Sequence, residues 1–104
     1  MMNALAHLPN SGNYLVLLRG RLRLRIADIV RLEADRNYTR FVLADGRTLL
    51  MARTLGSFEK ELPAVFFRAN KSVLVNRLHI KVFAKDWLEM IDGFGVAVAR
   101  RRKI

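Results

Sequence analysis

Hydrophobic and polar residues alternate along much of this chain with a period of two, the spacing that sends successive side chains to opposite faces of a β-strand. The clearest run is Arg21-Leu22-Arg23-Leu24-Arg25-Ile26, in which Leu22, Leu24 and Ile26 share one face and Arg21, Arg23 and Arg25 the other. A sheet containing this run has one buried and one solvated face, as antiparallel sheets commonly do. Tyr14 to Arg19 precedes it as an apolar, β-prone stretch, and Arg19-Gly20-Arg21 reads as the turn between them. Ala27-Asp28 breaks the alternation with a single helical turn. Ile29 to Glu33 is the next expected strand, and Asp35-Arg36-Asn37 a polar loop. Tyr38 to Leu43 follows as a strand with Thr39, Phe41 and Leu43 on one face and Arg40 and Val42 on the other.

Turn chemistry punctuates the rest. Asp45-Gly46 and Asp92-Gly93 are hairpin signals, because glycine accepts positive φ between β-prone flanks. Thr48 to Ala52, Ile80 to Ala84, Trp87 to Ile91 and Phe94 to Ala99 are expected strands. The one helical signal runs from about Leu55 to Leu62. Thr54 can cap its first turn, Leu55, Phe58 and Leu62 form an apolar stripe at i, i+3 and i+7, and Pro63 stops it. Phe66-Phe67-Arg68-Ala69-Asn70-Lys71-Ser72-Val73-Leu74-Val75-Asn76 joins an aromatic pair to a polar, basic turn and then to a short apolar run. The expectation is one mostly-β domain over residues 14–104 with one short helix, preceded by a loosely ordered extension at 1–13.

Composition adds charge to this picture. The 104 residues suffice for one compact domain, and 52% are hydrophobic, so a core can be buried. With 19 Lys plus Arg against 9 Asp plus Glu, the formal net charge is +10. That balance favours a polyanionic partner over a merely solvated basic surface. There are no cysteines, which excludes disulfides, thiol nucleophiles and Cys-based zinc sites. The first residues lack a basic start followed by an unbroken apolar core, so a signal peptide is not expected. No apolar run approaches the length of a membrane span, and the expected location is cytoplasmic.

Reaction chemistry finds little to stand on. His7 and His79 are far apart, and His79, between Leu78 and Ile80, is better read as structural or surface-exposed than as a base. The acidic residues form no metal-ligand pattern, and Asp45 and Asp92 are accounted for by their turns. Ser11, Ser57 and Ser72 lack a nucleophile-elbow context, and no glycine-rich phosphate loop is present. No enzyme activity, cofactor or metal is expected.

Nucleic-acid chemistry is better served. Lysine and arginine gain from phosphate through Coulomb attraction and counterion release. Specific reading needs Arg or Lys for guanine and Asn or Gln for adenine. Three segments outside regular strands supply these types: Asp35 to Arg40, Arg68 to Ser72, and Arg100 to Lys103. Each has a plainer reading. Arg36-Asn37 can be only a polar turn, Asn70 can satisfy local amides while Lys71 faces solvent, and a basic terminus can be a frayed end. Arg21, Arg23 and Arg25 are better read as a solvated strand face. The coincidence of three separated segments in one small domain raises DNA binding. The competing classes are a non-specific binder of RNA or DNA and a protein-interaction module using an exposed strand edge.

The segment from Phe66 to Asn76 resembles the signature of the LytTR-type DNA-binding domain, found in transcription regulators of the LytR/AlgR family, which reads F-F-R-x-H-[RK]-S-[FY]-[LIV]-V-N. The likeness extends in order from about Leu22 to Lys103. I-A-D-I-V-R-L-E-A at Ile26 to Ala34 is similar to I-x-D-I-x-Y-[IF]-E-[AS], with Arg31 where an aromatic is common. R-N-Y-T-R, L-A-D-G-R, T-L-G-S-F-E-K-E-L, R-L-H-I-K-V and V-A-V-A-R-R-R-K follow at the family's places. The resemblance implies an elongated β-β-β sandwich of about ten short strands with one short helix and a C-terminal helical turn. It implies sequence-specific duplex binding for bacterial transcription, by loops that enter successive major grooves and bend the DNA.

Carried to matching positions, the implied base readers are Arg36, Asn37 and Thr39, then Asn70 and Lys71, then Arg100 and Arg101. Tyr38 and Ser72 are implied as phosphate contacts or loop supports, and Asn76 as a structural residue of the turn after Val75. Asn70 stands where the family usually has histidine, and Ala99 where it often has serine. Members usually carry a receiver or membrane sensor domain, so a sensor or receiver partner in trans is expected from a two-component system. Direct repeats occupied by two copies, as a homodimer on DNA, are the expected sites, with no membrane partner.

Overall fold

The computed structural model describes residues 13–99 and residue 102. Residues 1–12 of the expected 1–13 extension, the expected C-terminal helical turn, and Arg100 and Arg101 lie outside the described residues. Among the described residues ten strands appear in chain order: β1 (Tyr14–Leu17), β2 (Leu22–Arg25), β3 (Ile29–Asp35), β4 (Tyr38–Leu43), β5 (Thr48–Met51), β6 (Phe66–Asn70), β7 (Val73–Asn76), β8 (Ile80–Phe83), β9 (Trp87–Met90) and β10 (Gly95–Ala97). The helix α1 (Leu55–Glu59) lies between β5 and β6. It is shorter than its apolar stripe suggests, although Leu62 still packs on the core beneath it. Thr54 caps it by accepting from the Ser57 amide.

The strands form three sheets, of order β1-β2, β5-β4-β3-β7-β6 and β10-β9-β8, antiparallel in every pairing. The expected mostly-β, three-sheet fold is therefore present, with extents of 38 × 32 × 25 Å. The five-stranded sheet is the middle layer. On one face lie Ile29, Leu32, Phe41, Leu43, Phe66 and Leu74, packed with Leu15, Leu17 and Leu24 of the two-stranded sheet and with Leu55 and Phe58 of α1. Phe41 and Phe58 meet edge to face at 5.0 Å, a geometry worth roughly 0.5–1.5 kcal/mol beyond area burial. On the other face lie Val30, Phe67, Ala69, Val73 and Val75, packed with Leu88, Met90 and Val96 of the three-stranded sheet.

This double burial explains the unbroken apolar run Val73-Leu74-Val75. A strand covered on both faces has no solvent side to mark by alternation, and every residue of β7 is buried. The two-stranded sheet keeps one solvated face, with Leu15, Leu17 and Leu24 buried while Arg23 and Arg25 are exposed. The turn that links its strands begins one residue earlier than expected, at Leu18, and both Leu18 and Arg19 take positive φ before Gly20.

Register irregularities at Val30 and Ala69 place consecutive residues on the same side of the middle sheet or turn a carbonyl out of the ladder. Ile29 and Val30 enter opposite cores as alternation requires, and the shift lets Arg31 follow Val30 onto the side of the three-stranded sheet, where it meets Asp92 and Phe94. The Ala69 carbonyl accepts the Ala99 amide at 2.9 Å, which docks Ala99 against β6.

Asn76 closes the bottom of the middle sheet. It is fully buried, its Nδ2 donates to the carbonyls of Ile26 at 3.1 Å and Ile29 at 2.9 Å, and its Oδ1 accepts from the Leu78 amide at 3.0 Å. The sequence reading of Asn76 as a structural residue is extended: besides the turn after Val75, it secures the helical turn Ile26–Asp28, whose residues are 47 to 50 positions distant. His79 joins the same region by donating from Nε2 to the Ala27 carbonyl at 2.6 Å. Asn76→Ala leaves two carbonyls and an amide without these partners, and burial withholds water. The expected cost is about 2–4 kcal/mol, read as a lowered midpoint in chemical denaturation with the slope unchanged.

Candidate nucleic-acid interface

Two hairpin turns meet at one end of the middle sheet. Arg36-Asn37 joins β3 to β4, whose last pair is Asp35 with Tyr38. Lys71-Ser72 joins β6 to β7, closed by the pair Asn70 with Val73. The hairpins become neighbours because β3 pairs with β7, matching Arg31 to Val75, Leu32 to Leu74 and Glu33 to Val73. That ladder continues into the turns, where the Ala34 amide donates to the Ser72 carbonyl at 2.8 Å. Neighbouring strands are about 4.8 Å apart, so the tips stand within side-chain reach of one stretch of surface. The residues that precede the third basic segment dock on the other side of β6: Asn70 Nδ2 donates to the Ala97 carbonyl at 2.7 Å, and the Ala99 amide donates to the Ala69 carbonyl. Arg100 is covalently next, outside the described residues.

The expected site residues differ in what they present. Arg36, Asn37 and Tyr38 are exposed at the first turn, and Lys71 and Ser72 at the second. Thr39 corrects the expectation that it reads bases. It is fully buried, and its hydroxyl donates to the Arg53 carbonyl at 2.7 Å. The pleat puts it on the face shared with Phe41, so it supports the first turn from within. Asn70 is half-buried, and both ends of its amide are engaged: Nδ2 by Ala97, and Oδ1 by the Ser72 amide at 2.8 Å. Its side chain builds the second turn, and base reading by Asn70 would require giving up these bonds.

Arg36 holds a left-handed backbone, with φ of 60°. A non-glycine residue there costs about 1–2 kcal/mol. Such strain is commonly retained where a side chain is needed for function.

Several arginines that looked available to a polyanion are committed to the supporting structure: Arg68 and Arg40 hold the turns, and Arg53 braces α1. Arg68, which the sequence placed beside the turn, donates from Nε to the Asn70 carbonyl at 2.9 Å and from Nη2 to the Lys71 carbonyl at 2.7 Å, while Nη1 meets Glu59 of α1. A planar fork suits this three-way grip, and lysine could not reproduce it. Arg40 pairs with Glu33 at 3.3 Å and with Asp35 at 2.8 Å, bracing the base of the first turn. Arg53 pairs with Glu61 and lies over the Phe58 ring.

Arg31, the residue standing where an aromatic is common, is buried. Its guanidinium stacks on Phe94 at 3.7 Å and bonds Glu33 at 2.7 Å and Asp92 at 2.8 Å. The chain Asp92–Arg31–Glu33–Arg40–Asp35 therefore connects the three-stranded sheet to the first turn. Neither Arg36 nor Lys71 forms an ion pair among the described residues. Net positive charge is thus left at the tips, and the supporting arginines are neutralised below them. Among the described residues no group of acidic, histidine or cysteine side chains could hold a metal ion.

The family model of the LytTr DNA-binding domain matches residues 19–103. The chain belongs to this family. LytTR domains bind DNA in transcription regulation, and the basic turns stand on the fold that such domains use. Among solved structures, the chain is similar to the LytTr DNA-binding domain of a protein described as a methyl-accepting/DNA response regulator from Bacillus cereus. The identity is 28%, the TM-score 0.68, and the match covers 83% of this chain and 84% of that one. No curated protein matches the chain. Among the described residues, no helix of this LytTR domain is long and apolar enough to cross a membrane.

The buried ion-pair chain gives a pH-dependent expectation. Partial burial works to raise the Asp92 carboxyl, but the hydrogen bonds from Arg31 and the Phe94 amide outweigh it, so the folded-state value lies below the ordinary 3.8. A depressed carboxylate contributes stability that is full above the unfolded value and is lost as pH falls through the folded one. The stability difference between the parent and Asp92→Asn should therefore be constant from pH 7 to about 5 and shrink below about pH 4. Urea titrations across that range measure it.

Proposed function

We propose that this LytTR domain reads a specific duplex sequence, inserting the Arg36-Asn37 turn and the Asn70–Ser72 turn into the major groove, with Arg100 and Arg101 contacting the adjoining groove. The observation that carries the reading is the Ala34-to-Ser72 hydrogen bond, which sets the two basic tips side by side with the C-terminal segment docked next to them. Arg36, Asn37 and Lys71 are the base-reading side chains: all are exposed, and all are of the types that pair with guanine or adenine edges. Tyr38 and Ser72 flank them as phosphate contacts. Thr39 and Asn70 support the turns. The sites are direct repeats taken by two copies, and the DNA bends to follow successive contacts.

Regulation enters through a receiver or sensor, in the same chain or in trans, and the expected compartment is cytoplasmic.

Selection of binding sites from random duplexes tests the reading: one enriched motif supports it, and a featureless pool refutes specificity. On the selected site, Lys71→Ala should cost about 1–3 kcal/mol and on random DNA less; equal losses would make Lys71 a phosphate contact. Arg36→Gly should raise folding stability by about 1 kcal/mol, because glycine tolerates the left-handed backbone, while lowering affinity for the selected site. A variant that gains stability and keeps full affinity would remove Arg36 from the readout.

A further inference from the structure

The succession of contacts that joins the two turns and the C-terminal segment goes one step further, to a hairpin tip that none of the basic segments includes. The Val98 amide donates to the Asp86 carbonyl at 2.9 Å, and Ala97 pairs with Trp87. The tip Ala84–Asp86 between β8 and β9 is thereby fixed beside the residues that dock on Ala69 and Asn70. Lys85 is exposed there and forms no ion pair among the described residues. It shares a cleft of about 290 Å³ with Arg102, floored by Phe67, Phe83, Leu88 and Val98. The Arg102 amide donates to the Ala99 carbonyl at 2.9 Å. Two cations thus border an apolar cleft, with Asp86 the one acid at the tip.

The geometry points to Lys85, with Arg102, as a phosphate clamp for the DNA backbone flanking the bound site on the side of the C-terminal segment. The inference rests on the duplex-binding reading above. A phosphodiester strand offers what the cleft matches, a line of single negative charges separated by the apolar faces of sugars. Lys85 is a point charge on a flexible stem, suited to phosphate rather than to bidentate base reading. The clamp therefore contributes affinity and register without sequence information, and it lengthens the duplex that the domain protects.

The experiment compares the full chain with Lys85→Ala and Asp86→Asn, by fluorescence anisotropy on the selected duplex and on a random one, across salt concentrations. Lys85→Ala should weaken both duplexes by the same factor and reduce the slope of log affinity against log salt by about 0.9, one phosphate's worth. The gap between parent and variant then shrinks about 3.5-fold from 50 to 200 mM salt. Asp86→Asn, which removes a charge that repels phosphate, should tighten both. Trimming the duplex flank on one side only should abolish both effects.

Opposite signs for the two variants exclude a general loosening of the hairpin, which would move both the same way. An unchanged slope in Lys85→Ala overturns the clamp, as does a loss confined to the selected sequence. A change in the number of copies bound, with the slope intact, also overturns it and assigns the tip to protein–protein contact. If the parent fails to bind duplex, the duplex-binding reading itself falls; if the parent binds and Lys85→Ala is indistinguishable from it, only the clamp does.

Discussion

The pairing of β3 with β7 is the constraint on which the rest of this domain depends. Each strand belongs to a local hairpin, β3 with β4 and β7 with β6. Only their lateral pairing makes the middle sheet and brings the Arg36-Asn37 and Lys71-Ser72 turns together. Its register is held from both faces. Leu32 and Leu74 enter one core, while Val73 and Val75 enter the other. Sliding one strand by a residue would exchange these faces and drive Arg31 or Glu33 into the first core, so burial specifies the register strongly. The relative placement of the two turns is thus set by packing several residues away from their tips.

Charge is organised around the same sheet. The excess of basic residues does not form a uniform positive coat, because Arg31, Arg40, Arg53 and Arg68 meet acids or carbonyls in the supporting structure. Exposed ion pairs of this kind add little stability, typically under about 1 kcal/mol. A buried one such as Arg31 recovers its desolvation cost only through good geometry. Here that geometry includes two carboxylates and a stacked ring. Its consequence is positional: the β9–β10 turn is registered against β3, and β3 against the base of the first turn. The cations that remain without acidic partners, Arg36 and Lys71 among them, stand where a polyanion can approach. Steering by such a tip is long-ranged at low salt and screened within about 10 Å at 0.1 M.

Local features and remote ones cooperate at the second turn. Ala69 is fully buried at a register shift, and its carbonyl leaves the ladder to receive Ala99. Asn70 uses its amide both to close its own turn and to hold Ala97. Arg68 grips the two carbonyls that follow from below. A turn held from three directions loses little entropy on meeting a ligand, which is the physical content of preorganisation.

Most of the elements, the hairpins and the cap are legible in the order of residues, because these follow from period, turn chemistry and local hydrogen bonding. Alternation placed Thr39 on the face of Phe41 and Leu43, and there it lies, although the family resemblance implied a base reader at the same position; local periodicity was the better guide. The plainer reading of Asn70, as a residue that satisfies local amides, is likewise what its side chain does. Tertiary structure alone decided which hairpins are neighbours, since strand pairing between segments some forty residues apart leaves no periodic trace. It also decided that the middle sheet is covered on both faces, that Arg31 is buried against Phe94, and that Asn76 reaches back to Ile26 and Ile29. These depend on which surfaces the chain brings together, and a residue's own neighbours in sequence carry no record of that.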